Sequence, residues 1–233
     1  MLDGRPAFTV VWERIPATLA IAIPALIVKM AIGVPAGTFS ALRRGSWVDQ
    51  LLMTSAIFGL AVPGFVVGLC LIMVFSVELG WLPSGGAGSI KHALLPVATL
   101  GLFGAATLAR YTRSAVSDVL SQPYVRAAII KGIPRRRIVL FHVLPNAAIP
   151  IITIVGLMIG SSVAGAVVIE SVFSWPGVGR LLVTSVANRD LAVVQSILLF
   201  VGFSMVLANF GVDLLYGLVD PRMRRQATSG ARR

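Results

Sequence analysis

The residues able to do chemistry in this sequence are few, and most of them interrupt apolar stretches: Lys29, Glu170, Gln195, Asn209 and Asp213, with Trp175 in a Trp-Pro-Gly turn close to Glu170. Their spacing suits conduction better than bond making. Gln195, Gly202, Asn209 and Asp213 follow at intervals of seven, seven and four, which puts them on one face of a helix. Such a stripe either lines a polar path or makes hydrogen bonds between helices. Motifs for covalent chemistry are missing. A phosphate-binding loop needs a lysine followed by serine or threonine, but Lys29, Lys91 and Lys131 precede Met, His and Gly. There is no His-Glu-x-x-His pair and no Gly-x-Ser-x-Gly elbow. His92 and His142 lie far apart and Cys70 is the sole cysteine, so no histidine–cysteine metal site and no internal disulfide are expected.

The elements that must position these residues are membrane spans. Hydrophobic residues make up 57% of the 233 and charged residues only 12%, about half the charge a water-facing surface carries. The fold class is therefore all-α, a polytopic transmembrane helix bundle. Five stretches are long and apolar enough to cross a bilayer: Ala17–Leu42, Leu51–Leu79, Leu94–Ala109, Ala147–Ile169 and Leu191–Leu215. Pro96 fits the first turn of the third, where a missing N–H costs nothing.

The net charge of +11 invites a nucleic-acid reading, but the basic residues sit in alternate loops. Arg43 and Arg44, the segment Arg110–Arg137 and the tail from Arg222 hold 14 of the 20 lysines and arginines. By the positive-inside rule these are cytoplasmic, with membrane lipid and not nucleic acid around the spans. The C-terminus then lies inside and residues 1–14 form an external segment. Residues 15–222 make the transmembrane domain, with a cytoplasmic loop at 110–145, and residues 223–233 a disordered cytoplasmic tail. No signal peptide opens the chain, so an outside N-terminus points to a further span before Asp3. Lys29, in mid-span, carries small residues at Ala22, Ala25, Gly33, Ala36 and Gly37 on its face, and is expected to face protein or water; the missing span would be one partner.

The loop itself has a readable pattern. Pro123 opens a short helix through Tyr124, Arg126, Ala127, Ala128 and Lys131; Gly132 stops it and Pro134 keeps it stopped. Arg135, Arg136 and Arg137 then lead toward Leu144 and Pro145, which opens the next span. This predicts a helix–turn–helix lying along the inner membrane surface, with a small-residue face free to enter a partner's groove.

That spacing resembles the signature loop of ABC importer permeases, in which Glu-Ala-Ala precedes a glycine and an Ile-x-Leu-Pro element follows. Ala127-Ala128, Gly132 and His142-Val143-Leu144-Pro145 stand at those places, with Arg126 for the glutamate and His142 for the isoleucine. An arginine in a Tyr-Val-Arg-x-Ala context resembles the dipeptide/oligopeptide branch. So do Arg14–Leu19, Gly33–Gly37, Gly80-Trp81-Leu82-Pro83, Glu170–Arg180 and Asp213–Arg222.

The resemblance implies a type I importer permease fold of six spans, of which five are present and the first is missing. It implies a second homologous permease subunit, two ATP-binding cassette ATPases that bind ATP and magnesium in this chain's stead, and an extracytoplasmic substrate-binding protein. The loop from Tyr124 to Pro145 would dock the ATPase. Glu170 and Trp175 would form part of an outer gate, contact the binding protein, or make a packed re-entrant turn. The arginine triplet would either pair with acids of the ATPase or serve only as a topological anchor. The cargo implied is peptide, with nickel, glutathione or sugar oligomers as alternatives. An ion-driven carrier would need acids within its spans, and Asp213 is the main candidate.

Overall fold

A computed structural model describes residues 5–219, which are mainly helical, with no strand among them. Helix α1 (Ala7–Trp12) turns at Glu13-Arg14 into α2 (Ile15–Leu42). Then follow α3 (Trp47–Ala61), α4 (Gly64–Ile72), α5 (Ile90–Leu120), α6 (Pro123–Ile130), α7 (Arg135–Ile138), α8 (Leu144–Val172), α9 (Val178–Ala187) and α10 (Leu191–Val219). Among the described residues, four helical runs are long and apolar enough to cross a membrane, or five if the bent pair α3–α4 counts as one.

That bent pair corrects the second expected span. Leu51–Leu79 is not one helix: it breaks after Ala61 and turns by 96°. Pro63 is the cause, because its ring disfavours helical backbone at the preceding residue, and Val62 is extended with ψ 124°. Beyond α4 the chain widens into a π-helical segment, Met73–Glu78.

The third span is also longer than expected. It starts at Ile90, where Ser89 and His92 form a reciprocal cap, so Pro96 lies inside the helix instead of in its first turn. It continues past Arg110 to Leu120. The arginines that marked a loop in the sequence are carried on continuous helix. The residue-1–14 segment likewise holds a helix, with Ala7 and Val11 packed against Val178, Val193 and Ile197.

At the centre, α2 and α5 pack so closely that backbones touch. A Cβ on Gly33 would lie 2.9 Å from the Ala105 carbonyl and from Leu108 Cβ; one on Gly101 would lie 2.6 Å from Val28. Gly37 backs onto the Ala109 carbonyl and Thr112 in the same way. Small residues permit this approach, and van der Waals contact rewards it where lipid supplies no hydrophobic drive. Lys29 belongs to the seam: it is 7% exposed, and its aliphatic stem lies over Gly104. The small-residue face of α2 is thus covered by α5 of the same bundle.

Candidate functional site

The basic end of the bundle carries the segment the spacing singled out. Gln122 is extended, Pro123 starts α6 and Gly132 ends it with φ +73°. The Ile133 N–H donates to the Ala128 carbonyl (3.2 Å) and the Gly132 N–H to the Ile129 carbonyl (2.9 Å). This pair of bonds is the Schellman arrangement, which satisfies carbonyls that a helix end leaves unpaired. A left-handed residue is required at its turn, and glycine adopts that conformation without Cβ strain.

Helix α6 is seated rather than loose. Val125 and Ala128 turn inward and join Ala41 of α2, Ala115 and Val116 of α5, Ile138, and Val143, Ala147 and Ile151 at the base of α8 in one buried cluster. Of the two alanines expected to face a partner, therefore, only Ala127 is exposed; Ala128 is 6% exposed and belongs to the bundle. The outward side presents Tyr124, Arg126, Ala127, Ile129, Ile130 and Lys131. Ile130 is 86% exposed, between two cations in sequence. An apolar tip framed by Arg126 and Lys131 can bind another protein.

The arm after the turn differs from a second surface helix. α7, a π-helical stretch Val139–Val143 and α8 run on without a break, so the arginine triplet forms the first turns of a span. The π-helical turns fall just before Pro145, where the proline cannot donate the usual bond. Leu144 is half-buried and Pro145 exposed. All three arginines are exposed, and Arg135 also donates to the Leu42 carbonyl at the end of α2 (2.7 Å).

Sequence reasoning missed a second cluster at this end. Asp49, 3% exposed, accepts from Arg113 Nε (2.7 Å) and Nη2 (2.8 Å), from Ser40 Oγ (2.5 Å) and from the Gly45 N–H (2.9 Å). The one available signal was Ser46-x-x-Asp49, a helix-start pattern before an apolar run, with Ser46 as the N-cap of α3.

At the opposite end Glu170 is completely buried. Its carboxylate accepts from Thr18 Oγ1 (2.7 Å) and from the Gly179 and Arg180 N–H groups (2.8 and 3.1 Å) at the start of α9. Thr18 Oγ1 accepts in turn from the Val178 N–H (2.9 Å), and Trp175 Nε1 donates to the Ala17 carbonyl (2.7 Å). Glu170 and Trp175 therefore tie α2, α8 and α9 together. Lys29 does not join them, nor does the α10 stripe. Gln195, Gly202 and Asn209 are exposed on the side of α10 away from buried Val193 and Ile197. The side chain of Asp213 lies outside the described residues. Among the described residues no three His, Cys, Asp or Glu side chains gather as a metal would need.

Comparison with known proteins gives this arrangement a context. Residues 33–225 match the family described as "Binding-protein-dependent transport system inner membrane component". The chain is 44% identical over 224 residues to the "Glutathione transport system permease protein GsiC" of Escherichia coli (strain K12), covering 96% of this chain and 73% of that protein. The protein of the same name from Shigella boydii is 43% identical over the same span. In three dimensions the chain resembles a subunit of the inward-facing MetNI methionine ABC transporter, with TM-score 0.76 and 18% identity over 93% of this chain and 99% of that one. A subunit of an amino acid ABC transporter crystallised with histidines matches with TM-score 0.64 and 17% identity, over 95% of this chain and 96% of that one.

Proposed function

This chain belongs to the binding-protein-dependent transport system inner membrane component family, and from that premise we propose that it forms half of a path by which an ATP-driven importer brings short peptides inward, glutathione among them. It is a multi-pass inner-membrane permease subunit of an ABC importer and is not itself catalytic. The observation that carries the mechanism is α6: a short helix rooted in the bundle core through Val125 and Ala128, ending at a fixed turn, with Ile130 and Ala127 standing clear.

In this reading the basic end of the bundle faces the cytoplasm, where α6 enters a groove on an ATPase subunit. The ATPases bind ATP and magnesium, and their closure displaces α6. Because α6 shares one core with α2, α5 and α8, its displacement moves those spans as a unit and turns the path toward the outside. A second permease completes the path, and an external binding protein delivers cargo to the opposite end. Gln195 and Asn209 on the exposed face of α10 support a partly polar wall for that path, since an unpaired amide is costly against lipid. The 44% identity to glutathione permeases supports a small peptide as cargo.

The test is reconstitution of permeases, ATPases and binding protein in liposomes, with labelled glutathione and a labelled dipeptide offered outside. Uptake that requires ATP and every subunit is expected. Accumulation by the permease alone down an ion gradient would overturn the reading.

A further inference from the structure

The α2–α3 connection and the first turn of α3 are bonded to α5 and to α7, the helices that precede and follow α6 in the chain. Arg113 lies on the last turns of α5, which ends at Leu120 just before α6 begins. Its guanidinium grips Asp49 through two parallel bonds of 2.7 and 2.8 Å. Arg135 opens α7 just beyond the Gly132 turn and donates to the Leu42 carbonyl at 2.7 Å. Leu42 ends α2 and Asp49 lies in the first turn of α3, on either side of the same short connection, and Gly45, with φ +81°, lets that connection fold back so that its N–H reaches Asp49.

We propose that this connection is a clamp on the coupling helix, with Asp49, Arg113 and Arg135 as positioning residues that make α2, α3 and α5 follow α6 when it moves. The proposal rests on the reading of α6 given above. Its physical basis is geometry. A paired Arg–carboxylate fork fixes angle as well as distance, and a buried ion pair is a weak source of stability but a strong constraint on arrangement. Asp49 has four donors on it, so its carboxylate has little freedom to let α5 slide past α3. Without the clamp, the apolar contacts of Val125 and Ala128 would be what ties α6 to the spans, and apolar packing is non-directional and fixes angle less tightly than a paired fork. Less of the motion of α6 would then reach α2, α3 and α5.

The measurement is cargo imported per ATP hydrolysed in liposomes holding the full complex, with assembled complex quantified separately. Asp49→Asn keeps the shape of the side chain and removes its charge, and Arg135→Ala removes an exposed side chain. Each is expected to lower cargo per ATP by about fivefold or more, the scale of a lost coupling between sites. A role in folding alone would reduce the amount of complex and leave that ratio unchanged, which overturns the proposal; should Asp49→Asn not assemble, Arg135→Ala decides. Ile130→Asp, on the outer face of α6, separates the two levels. If Ile130→Asp transports normally, the coupling role of α6 itself fails. If Ile130→Asp uncouples and neither clamp variant changes the ratio, only the clamp fails.

Discussion

Thr18 and Glu170, 152 positions apart, share a buried hydrogen bond of 2.7 Å, and Thr18 passes the contact on by accepting from the Val178 N–H. One hydroxyl thereby joins α2 to α8 and to the start of α9. Glu170→Ala would leave the Gly179 and Arg180 N–H groups and the Thr18 hydroxyl without their acceptor. Each unsatisfied buried group costs about 1–3 kcal/mol. Assembled complex and its melting temperature should fall sharply with Glu170→Ala and less with Thr18→Val. Wild-type melting in Glu170→Ala would show that the knot contributes nothing to stability.

The seam between α2 and α5 predicts a contrast among glycines. A Cβ at Gly37 would drive into the Ala109 carbonyl, which is backbone and cannot rotate away, whereas one at Gly59 would meet only Ala106 Cβ at 3.6 Å. Gly37→Val should therefore prevent accumulation in the membrane. Gly59→Ala should be neutral or stabilise α3 by up to about 1 kcal/mol through helix propensity. Immunoblots of membrane fractions read both, and equal accumulation of the two variants would refute the packing account.

Much of this was legible in the sequence because its determinants are local. Apolar runs announce spans, and Pro123 with Gly132 announces α6 and its turn. What stayed hidden depends on residues far apart in the chain. Nothing near Lys29 reveals that Gly104 receives its stem, and nothing near Ala128 says that it faces the bundle while Ala127 faces out. Arg110 and Arg113 read as the start of a loop because a cation normally ends a span; only the contact with Asp49 explains how helix continues through Arg113. The break at Pro63 was different, because Pro63-Gly64 is a local turn signal; the apolar character runs straight through it, and hydropathy alone joined two helices.

The exposed stripe on α10 gives a prediction about surroundings. If Gln195 and Asn209 face the path, Gln195→Leu and Asn209→Leu should raise the cargo concentration needed for half-maximal uptake while leaving complex yield unchanged. If they face lipid, leucine should raise yield and leave uptake unaltered. Concentration-dependent uptake with matched protein amounts distinguishes the two, and the second result would remove the stripe from the path.

Under the proposed mechanism α6 is the lever through which ATP hydrolysis drives this permease, and Gly132 isolates it. With φ +73° and open space around the site, valine would meet strain but no clash. A left-handed non-glycine residue costs on the order of 1–3 kcal/mol, so the bundle should assemble while α6 leaves its turn at an altered angle. The decisive measurement is labelled-peptide uptake and ATP hydrolysis, side by side, in liposomes holding the complete transporter with Gly132→Val. Continued hydrolysis with uptake lost from fully assembled complex is the predicted result. Uptake and hydrolysis both at wild-type rates would contradict the account.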